Sequence, residues 1–140
     1  MSAFQGLPTI YKLAVLHGAR VEIYLDKDEK WFPYSQIIGV SYRSKIRVAP
    51  GDEEVLEQVK SLLPNFYDIV EFEGYNYYLP KSAKKVGSIT MMSYGFGVYV
   101  QTQDDGSLLQ LESKVAEQIL DETKTTPYVS VSEQTFFGTE

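Results

Sequence analysis

Short turn signals divide most of this chain into brief segments, and their order limits the folds that it can adopt. Such signals occur at residues 27–30, 50–51, 74 and 104–107, where glycine, proline or clustered charges interrupt the pattern. Between several of them, apolar and polar residues alternate with the period of two that is typical of half-buried strands. Because strands follow strands instead of alternating with helices, the order indicates an α+β fold rather than a doubly wound parallel sheet.

The alternating segments predict a mostly antiparallel sheet of about six to eight strands, built from hairpins, with two or three helices packed on it. Segment 20–26 is expected to pair with segment 34–48, and segment 66–73 with segment 75–79. The remaining predicted strands are 86–94, 96–102, 107–111 and 128–132. Residues 107–112 also fit a helix, because Leu108 and Leu111 share one helical face with later apolar residues.

Helical spacing of apolar residues marks three segments. The predicted helices are 9–17, 52–63 and 113–122. For the first, a strand beginning near Tyr11 is the competing interpretation. The second is expected to begin at the capping residue Asp52 and to end at Pro64, because proline lacks the N–H that a continuing helix needs.

The length of 140 residues predicts one domain spanning residues 1–140. Neither a repeat nor a linker interrupts it. Segments 1–8 and 133–140 are expected to be loose ends or ends docked on a partner. The pair Phe136-Phe137 is unusual for a free end, so it is expected to fold back on its own domain or to dock on a neighbour.

Composition excludes several classes of function. The chain has no cysteine and one histidine, so neither a disulfide, a Cys-ligated metal nor a site with two histidines from one chain is possible. The net charge of −6 argues against nucleic-acid and membrane partners. The first residues lack a basic stretch followed by an apolar one, so we expect no signal peptide and a cytoplasmic protein.

Tyrosine is unusually frequent, with eleven residues in the chain. Tyrosine combines an apolar ring with a polar tip and is enriched at protein interfaces. Tyr75, Tyr77 and Tyr78 crowd one predicted hairpin, where alternation places Tyr75 and Tyr77 on one face and Tyr78 on the other. These tyrosines predict a contact surface for a second copy or another protein.

The stretch from Tyr94 to Tyr99 alternates aromatic residues with glycine. Residues Gly95, Phe96 and Gly97 are similar to the aromatic–glycine strand of RNA-recognition motifs, where exposed rings stack on bases. The acidic chain and the order of its elements do not fit that family, which we reject. On a strand, two glycines on one face would leave a shallow groove for a helix, another backbone or a flat ligand.

Few groups suggest catalysis or metal binding. His17 is expected to end a helix, and the sequence offers no nucleophile motif to pair with it. Carboxylates at 26–29 and 104–106 are expected to lie in solvated turns, because neither segment follows a recognisable ligand spacing. We therefore predict no metal site, no cofactor and no catalytic residues.

These features lead to three hypotheses of function. The first is a non-catalytic binding protein that forms a homo-oligomer, or binds a protein partner, through tyrosine-rich sheet faces. The second is a protein that binds a small molecule, phosphorylated or nucleotide-like, for example an accessory protein of a phage or mobile element; Arg20, Arg43 or Arg47 would contact the anion. The third is a small enzyme using Asp, Glu, Tyr or His17. The predicted binding residues are Tyr75, Tyr77, Tyr94, Gly95, Phe96, Gly97, Tyr99, Arg43, Phe136 and Phe137.

Overall fold

A computed structural model describes residues 3–40, 44–93 and 97–138 of the chain. Within these residues the chain forms ten strands and five α-helices, which confirms the predicted α+β class. The helices are α1 Ala3–Gly6, α2 Thr9–Leu16, α3 Glu53–Phe66, α4 Ser113–Thr123 and α5 Glu133–Phe137. The strands are β1 Val21–Leu25, β2 Lys30–Pro33, β3 Ile46–Val48, β4 Tyr67–Phe72, β5 Tyr75–Pro80, β6 Ile89–Ser93, β7 Val98–Thr102, β8 Leu108–Leu111, β9 Tyr128–Val129 and β10 Val131–Ser132.

The strand count exceeds the prediction for two reasons. Strand β2 was not predicted, because residues 27–30 were expected to form a charged turn and the next strand was expected to begin at residue 34. Segment 128–132 also divides into β9 and β10, which belong to different sheets. Ser130 stands between them, and its Oγ donates a hydrogen bond to the Met91 carbonyl at 3.0 Å. This bond holds the chain at the point where it leaves one sheet for the other.

Within the described residues, only Ile46–Val48 of the predicted long strand 34–48 forms a strand, and it pairs with β1 as expected. The hairpin partner of β1 is β2, and β3 pairs with the opposite edge of β1. Pro33 ends β2 because it has no N–H to donate to the ladder. The chain then makes a short 3-10 turn at Tyr34–Gln36. Residues 41–43 of this segment lie outside the described residues.

The predicted end of the helix before Pro64 is also wrong. Helix α3 continues through Pro64 to Phe66. The missing N–H of proline costs a single hydrogen bond of the helix, and the helix ends within the same turn. Asp52 does not cap this helix through its side chain as expected, because its carboxylate accepts hydrogen bonds from the Arg20 backbone and guanidinium instead.

Two compact units divide the chain. We call residues Met1–Pro64 and Glu133–Glu140 the split unit, because two separate stretches build it, and Asn65–Ser132 the continuous unit. The prediction of one domain for residues 1–140 stays a prediction. In the split unit, a three-stranded antiparallel sheet has the order β2-β1-β3. Its buried core residues are Leu7, Ala14, Ala19, Val21, Ile23 and Val48.

The continuous unit contains two further sheets. One has the order β10-β5-β4, and the other has the order β8-β7-β6-β9, in which only the β6–β9 pair is parallel among the described strands. The β4–β5 hairpin and the β7–β8 connection match the prediction, and residues 107–112 begin as a strand. The buried core residues of this unit are Leu79, Ala83, Met92 and Val100.

Both segments that were expected to be loose contain helices. Helix α1 begins at Ala3, and the tail forms α5 with Phe136 fully buried, at 0% exposure. Helix α5 contacts α2, so the tail folds back on its own unit, which is one of the two alternatives expected for it. Among the described residues, no helix combines the length and apolar character needed to cross a bilayer.

Candidate functional site

A cleft in the split unit has a volume of about 720 Å³. Its walls come from the start of α2, from β2, from the residues at the start of β3, from α3 and from α5. Small-molecule sites usually occupy about 300–1,000 Å³ and combine apolar walls with a few polar groups. The lining residues that matter below are Tyr11, Trp31, Lys45, Leu56, Lys60 and Phe137.

Trp31 is the single tryptophan of the chain, and its ring is held from two sides. It lies opposite Tyr24 in the β1–β2 ladder, and the two rings meet edge to face with centroids 5.3 Å apart. The guanidinium carbon of Arg47 lies 4.2 Å from the Trp31 centroid, within the range of cation–π attraction. Glu22 accepts a hydrogen bond from Arg47 Nε at 2.9 Å. These contacts prearrange the tryptophan wall of the cleft.

Tyr11 and Phe137 add two more aromatic rings from different helices. The Tyr11 hydroxyl donates a hydrogen bond to the Ile46 carbonyl at 3.3 Å, which joins α2 to β3. The Phe137 ring lies 5.1 Å from that of the fully buried Phe136, measured between centroids. Phe136 therefore anchors the helix that presents Phe137 to the cleft.

Two lysines give the cleft a local positive balance in an acidic chain. Lys45 and Lys60 line it together with one carboxylate, that of Glu133. Lys45 is exposed, and its Nζ lies 5.1 Å from the Tyr24 ring centroid. Lys60 has only a 3.8 Å contact with Glu57 on the surface of the same helix, a type of ion pair that contributes little. Both ammonium groups are therefore open to an anion.

The structure brings one of the predicted binding residues to this cleft. Phe137 lines it, while Phe136 lies buried behind. The predicted residues Tyr75, Tyr77, Gly97 and Tyr99 belong to the continuous unit. The predicted residues outside the described ranges are Arg43, Tyr94, Gly95 and Phe96.

Gly97 lies close to the start of a helix. Ser113, the first residue of α4, donates a hydrogen bond from its Oγ to the Gly97 carbonyl at 2.7 Å. A Cβ added at Gly97 would lie 3.1 Å from that Oγ, and the backbone φ of 67° is unfavourable for a side chain. Close approach of the helix start explains this glycine, which was one of the readings left open by the sequence.

The crowded tyrosines of β5 differ in exposure. Tyr75 is 70% exposed, whereas Tyr77 is half-buried and packs edge to face on Phe72 with centroids 6.4 Å apart. Tyr78, on the opposite face, is buried. Alternation therefore identified the two faces, but only Tyr75 of the first pair is available as a surface ring.

The arginines predicted as anion contacts are engaged with carboxylates. Arg20 Nε lies 3.0 Å from Asp52 Oδ2, and Arg47 Nη2 lies 2.9 Å from Glu22 Oε1. The hydrogen bonds from Arg20 lower the pKa of Asp52 below its ordinary value. Arg47 does not line the cleft itself but lies against the Trp31 ring that does, and the cations that line the cleft are Lys45 and Lys60.

Sequence reasoning missed Tyr11, Trp31, Lys45 and Lys60 as site residues. The signal available was Trp31 itself, a unique ring directly after the charged turn 27–30. The predicted strand 34–48 left Trp31 in a loop, so its position opposite Tyr24 in the sheet was not recognised.

The remaining polar groups singled out from the sequence lie in ordinary local structures. His17 is exposed, with Nδ1 2.9 Å from the Leu13 carbonyl oxygen of its own helix. Asp105 accepts hydrogen bonds from the Ser107 backbone and hydroxyl, as expected for a turn, and these lower the pKa of its carboxyl. In the described ranges, no group of three or more His, Asp or Glu residues is placed to hold a metal ion.

No protein-family model, curated protein or solved structure matches this chain. The cleft offers three aromatic residues, two lysines and apolar walls. This set can bind and orient a flat, negatively charged molecule.

Proposed function

We propose that this chain is a non-catalytic binding protein whose cleft in the split unit takes a small molecule. The observation that carries the proposal is the cleft of about 720 Å³, in which Tyr11, Trp31 and Phe137 converge from three separate elements. Aromatic rings provide a large contact area at a small cost in conformational entropy. The interlocked contacts of Trp31 support a preformed site, which reduces the free-energy cost of binding.

The absence of catalysis in this proposal rests on the chemistry of the cleft. Its titratable lining groups are Tyr11, Lys45, Lys60 and Glu133, and the ring of His17 engages its own helix instead. Tyr, Lys and Glu can act as acids or bases, but the sequence offers no nucleophile motif for them to serve, and we therefore assign them to binding. We further propose a cytoplasmic location, which the cysteine-free composition supports.

Native mass spectrometry of protein purified gently from its expression host tests this proposal. The wild type is expected to carry a small extra mass that the Phe137→Ala variant loses, because the cleft loses one of its three rings. Phe66→Ala is the matched control, since Phe66 is exposed and outside the cleft lining. A bare wild type, or a mass retained equally by both variants, would contradict the proposal.

Self-association through the β4–β5 hairpin is the second candidate function. Its specific support is the exposure of Ile69 at 61% and Tyr75 at 70% on a hairpin whose strand β4 forms the edge of its sheet. Exposed apolar residues on an edge strand favour pairing with another chain. Asp68 and Glu71 on the same strand oppose self-pairing, because two copies would bring like charges close together.

The oligomeric state of a double variant tests this candidate. Ile69→Ser with Tyr75→Ser should convert an assembly into a folded monomer of 15.9 kDa, measured by sedimentation. Serine at Tyr77 or Phe136 is unsuitable, because both side chains pack within their units. An assembly that survives the double substitution, or a monomeric wild type, would remove this candidate.

A further inference from the structure

We propose that the ligand of the cleft is a planar aromatic ring joined to a phosphate, a chemistry shared by nucleotides and phosphorylated flavins. This inference rests on the proposed function of the cleft and names its ligand class. Two features of the lining carry it: the convergence of aromatic rings and the positions of the two lysines.

The ring part of the ligand is recognised by the aromatic walls. Tyr11 comes from α2, Trp31 from β2 and Phe137 from α5. Stacking on aromatic side chains tolerates many ring types, because every flat heterocycle presents a π-face. The guanidinium of Arg47, 4.2 Å from the Trp31 centroid, holds that ring without filling the cleft, since Arg47 is not among its lining residues.

The phosphate part is recognised by Lys45 and Lys60. Lys60 lines the cleft from α3, and Lys45 lines it from the residues just before β3. We expect a phosphate bound between these two walls to attract both ammonium groups. Lysine binds phosphate as a compact point charge with three donors. Within the described chain, Lys45 has no ion pair with a carboxylate, and Lys60 has only the weak surface contact with Glu57.

The charge of the cleft favours an anion over a cation or a neutral ring. Lining charges are two positive and one negative, whereas the whole chain carries a net charge of −6. A positive site in an acidic protein is selective, because the surrounding field repels polyanions such as nucleic acids while a small monophosphate fits within the cleft. The volume of about 720 Å³ lies in the range of small-molecule sites.

Fluorescence of Trp31 provides the test, because it is the single tryptophan and lines the cleft. The full chain is titrated with adenosine 5′-monophosphate and with flavin mononucleotide. Tryptophan is excited at the red edge of its absorption, and the intensity of its emission is followed. Adenosine, riboflavin and inorganic phosphate are titrated in parallel. We expect saturable quenching by at least one phosphorylated ring, with its unphosphorylated partner binding at least about tenfold more weakly. Phosphate alone should bind more weakly than that phosphorylated ring.

Charge variants separate the cleft from the overall charge of the chain. Lys45→Gln with Lys60→Gln should weaken binding of the phosphorylated ring by about tenfold per lysine, the change expected on losing a hydrogen bond to a charged group. Lys114→Gln with Lys124→Gln changes the net charge equally at exposed lysines of the continuous unit and should leave binding unchanged. Circular dichroism confirms that both variants are folded.

Each failure has a distinct meaning. Equal affinity for phosphorylated and unphosphorylated rings overturns the phosphate assignment, yet leaves the cleft as a ligand site. Equal weakening by both lysine pairs overturns the assignment of Lys45 and Lys60. If neither phosphorylated ring quenches Trp31, the ligand class is wrong. The proposed function itself fails only if the purified wild type also lacks a bound mass that depends on Phe137.

Discussion

The split and continuous units build their structures in different ways. In the continuous unit, most strand pairs join neighbours in the sequence, as in β4–β5, β6–β7 and β7–β8, although β10 and β9 return to pair with β5 and β6. In the split unit, β1 pairs with β3 across a long connection, and α5 returns from the far end of the chain to contact α2. The candidate site lies where these distant segments meet, so it depends on contacts that no local pattern encodes.

The cavities of the two units also differ, both in volume and in the side chains that line them. The continuous unit has a smaller cavity of about 330 Å³ between α4 and the residues before β6. Its lining contains Ile89, Ile119, Leu120 and several threonines, with Tyr128 as its one aromatic residue and Lys85 as its one cation. The split unit offers three rings and two lysines in about 720 Å³. Of these two cavities, the one in the unit assembled from separate stretches therefore has more aromatic and more basic lining residues.

The largest loss of stability is expected in the split unit when the packing of helix α5 is disturbed. Phe136→Ala should lower the free energy of unfolding by about 3–5 kcal/mol, because it removes a fully buried ring and leaves a cavity. Denaturant unfolding followed by Trp31 fluorescence measures this. Phe66→Ala, at an exposed position, should change it by less than about 0.5 kcal/mol. Equal losses for the two variants would contradict the anchoring role of α5.

A substitution in the core of the continuous unit should lower the free energy of unfolding without involving helix α5. Leu79→Ala is expected to cost about 2–5 kcal/mol, because Leu79 is fully buried in the core of that unit. Ile69→Ala on the paired strand β4 should cost less than about 0.5 kcal/mol, since Ile69 is exposed. Denaturation followed by far-ultraviolet circular dichroism distinguishes the two. A small effect of Leu79→Ala would show that this core is not as described.

A substitution at Gly97, in the continuous unit, should lower stability without affecting ligand binding in the split unit. Gly97→Ala should cost about 1–2 kcal/mol, because its φ of 67° lies in the left-handed region. Gly39→Ala, where an added Cβ meets no atom within 4 Å and φ is not left-handed, should be close to neutral. Thermal unfolding measures both. Quenching of Trp31 by a bound ligand should be unaffected in the folded Gly97→Ala protein, and loss of that binding would return the site to the continuous unit.

The smallest expected effects concern the pKa values of two aspartates, Asp52 in the split unit and Asp105 in the continuous unit. Arg20 lowers the pKa of Asp52, and Ser107 lowers that of Asp105, both by hydrogen bonding to the charged form. Each ionised carboxylate therefore stabilises the fold above its unfolded pKa, and that stability is lost as pH falls through the folded pKa. Arg20→Gln should raise the pKa of Asp52 alone, and Ser107→Ala that of Asp105 alone. Carboxyl titration by NMR checks both, and a shift at the wrong aspartate would refute the assignment.

Much of the continuous unit could be predicted from sequence because its signals are local. Gly74 and the Asp104–Ser107 turn placed hairpins correctly, and the change from strand to helix near Ser113 was predicted to within a residue. In the split unit, β2 was missed because only four residues, including Pro33, carry it. Its pairing with β1 is a tertiary choice that alternation alone does not determine.

The candidate site was predictable only in part for the same reason. The Phe136-Phe137 pair was noticed as unsuited to a free end, and the structure buries one ring and places the other in the cleft. Trp31 lies in β2, Lys45 just before β3 and Lys60 in α3, and no spacing in the sequence links them. Nothing local therefore indicated that they would converge.

The most direct test of the central claim is a map of amide and indole chemical shifts in the ¹⁵N-labelled protein during titration with adenosine 5′-monophosphate and flavin mononucleotide. We predict that the shifts concentrate on the Trp31 indole N–H and on the amides of Tyr11, Lys45, Lys60 and Phe137, which line the cleft of the split unit. Shifts centred instead on Tyr75 or Tyr99 in the continuous unit, or no saturable shifts with either compound, would contradict it.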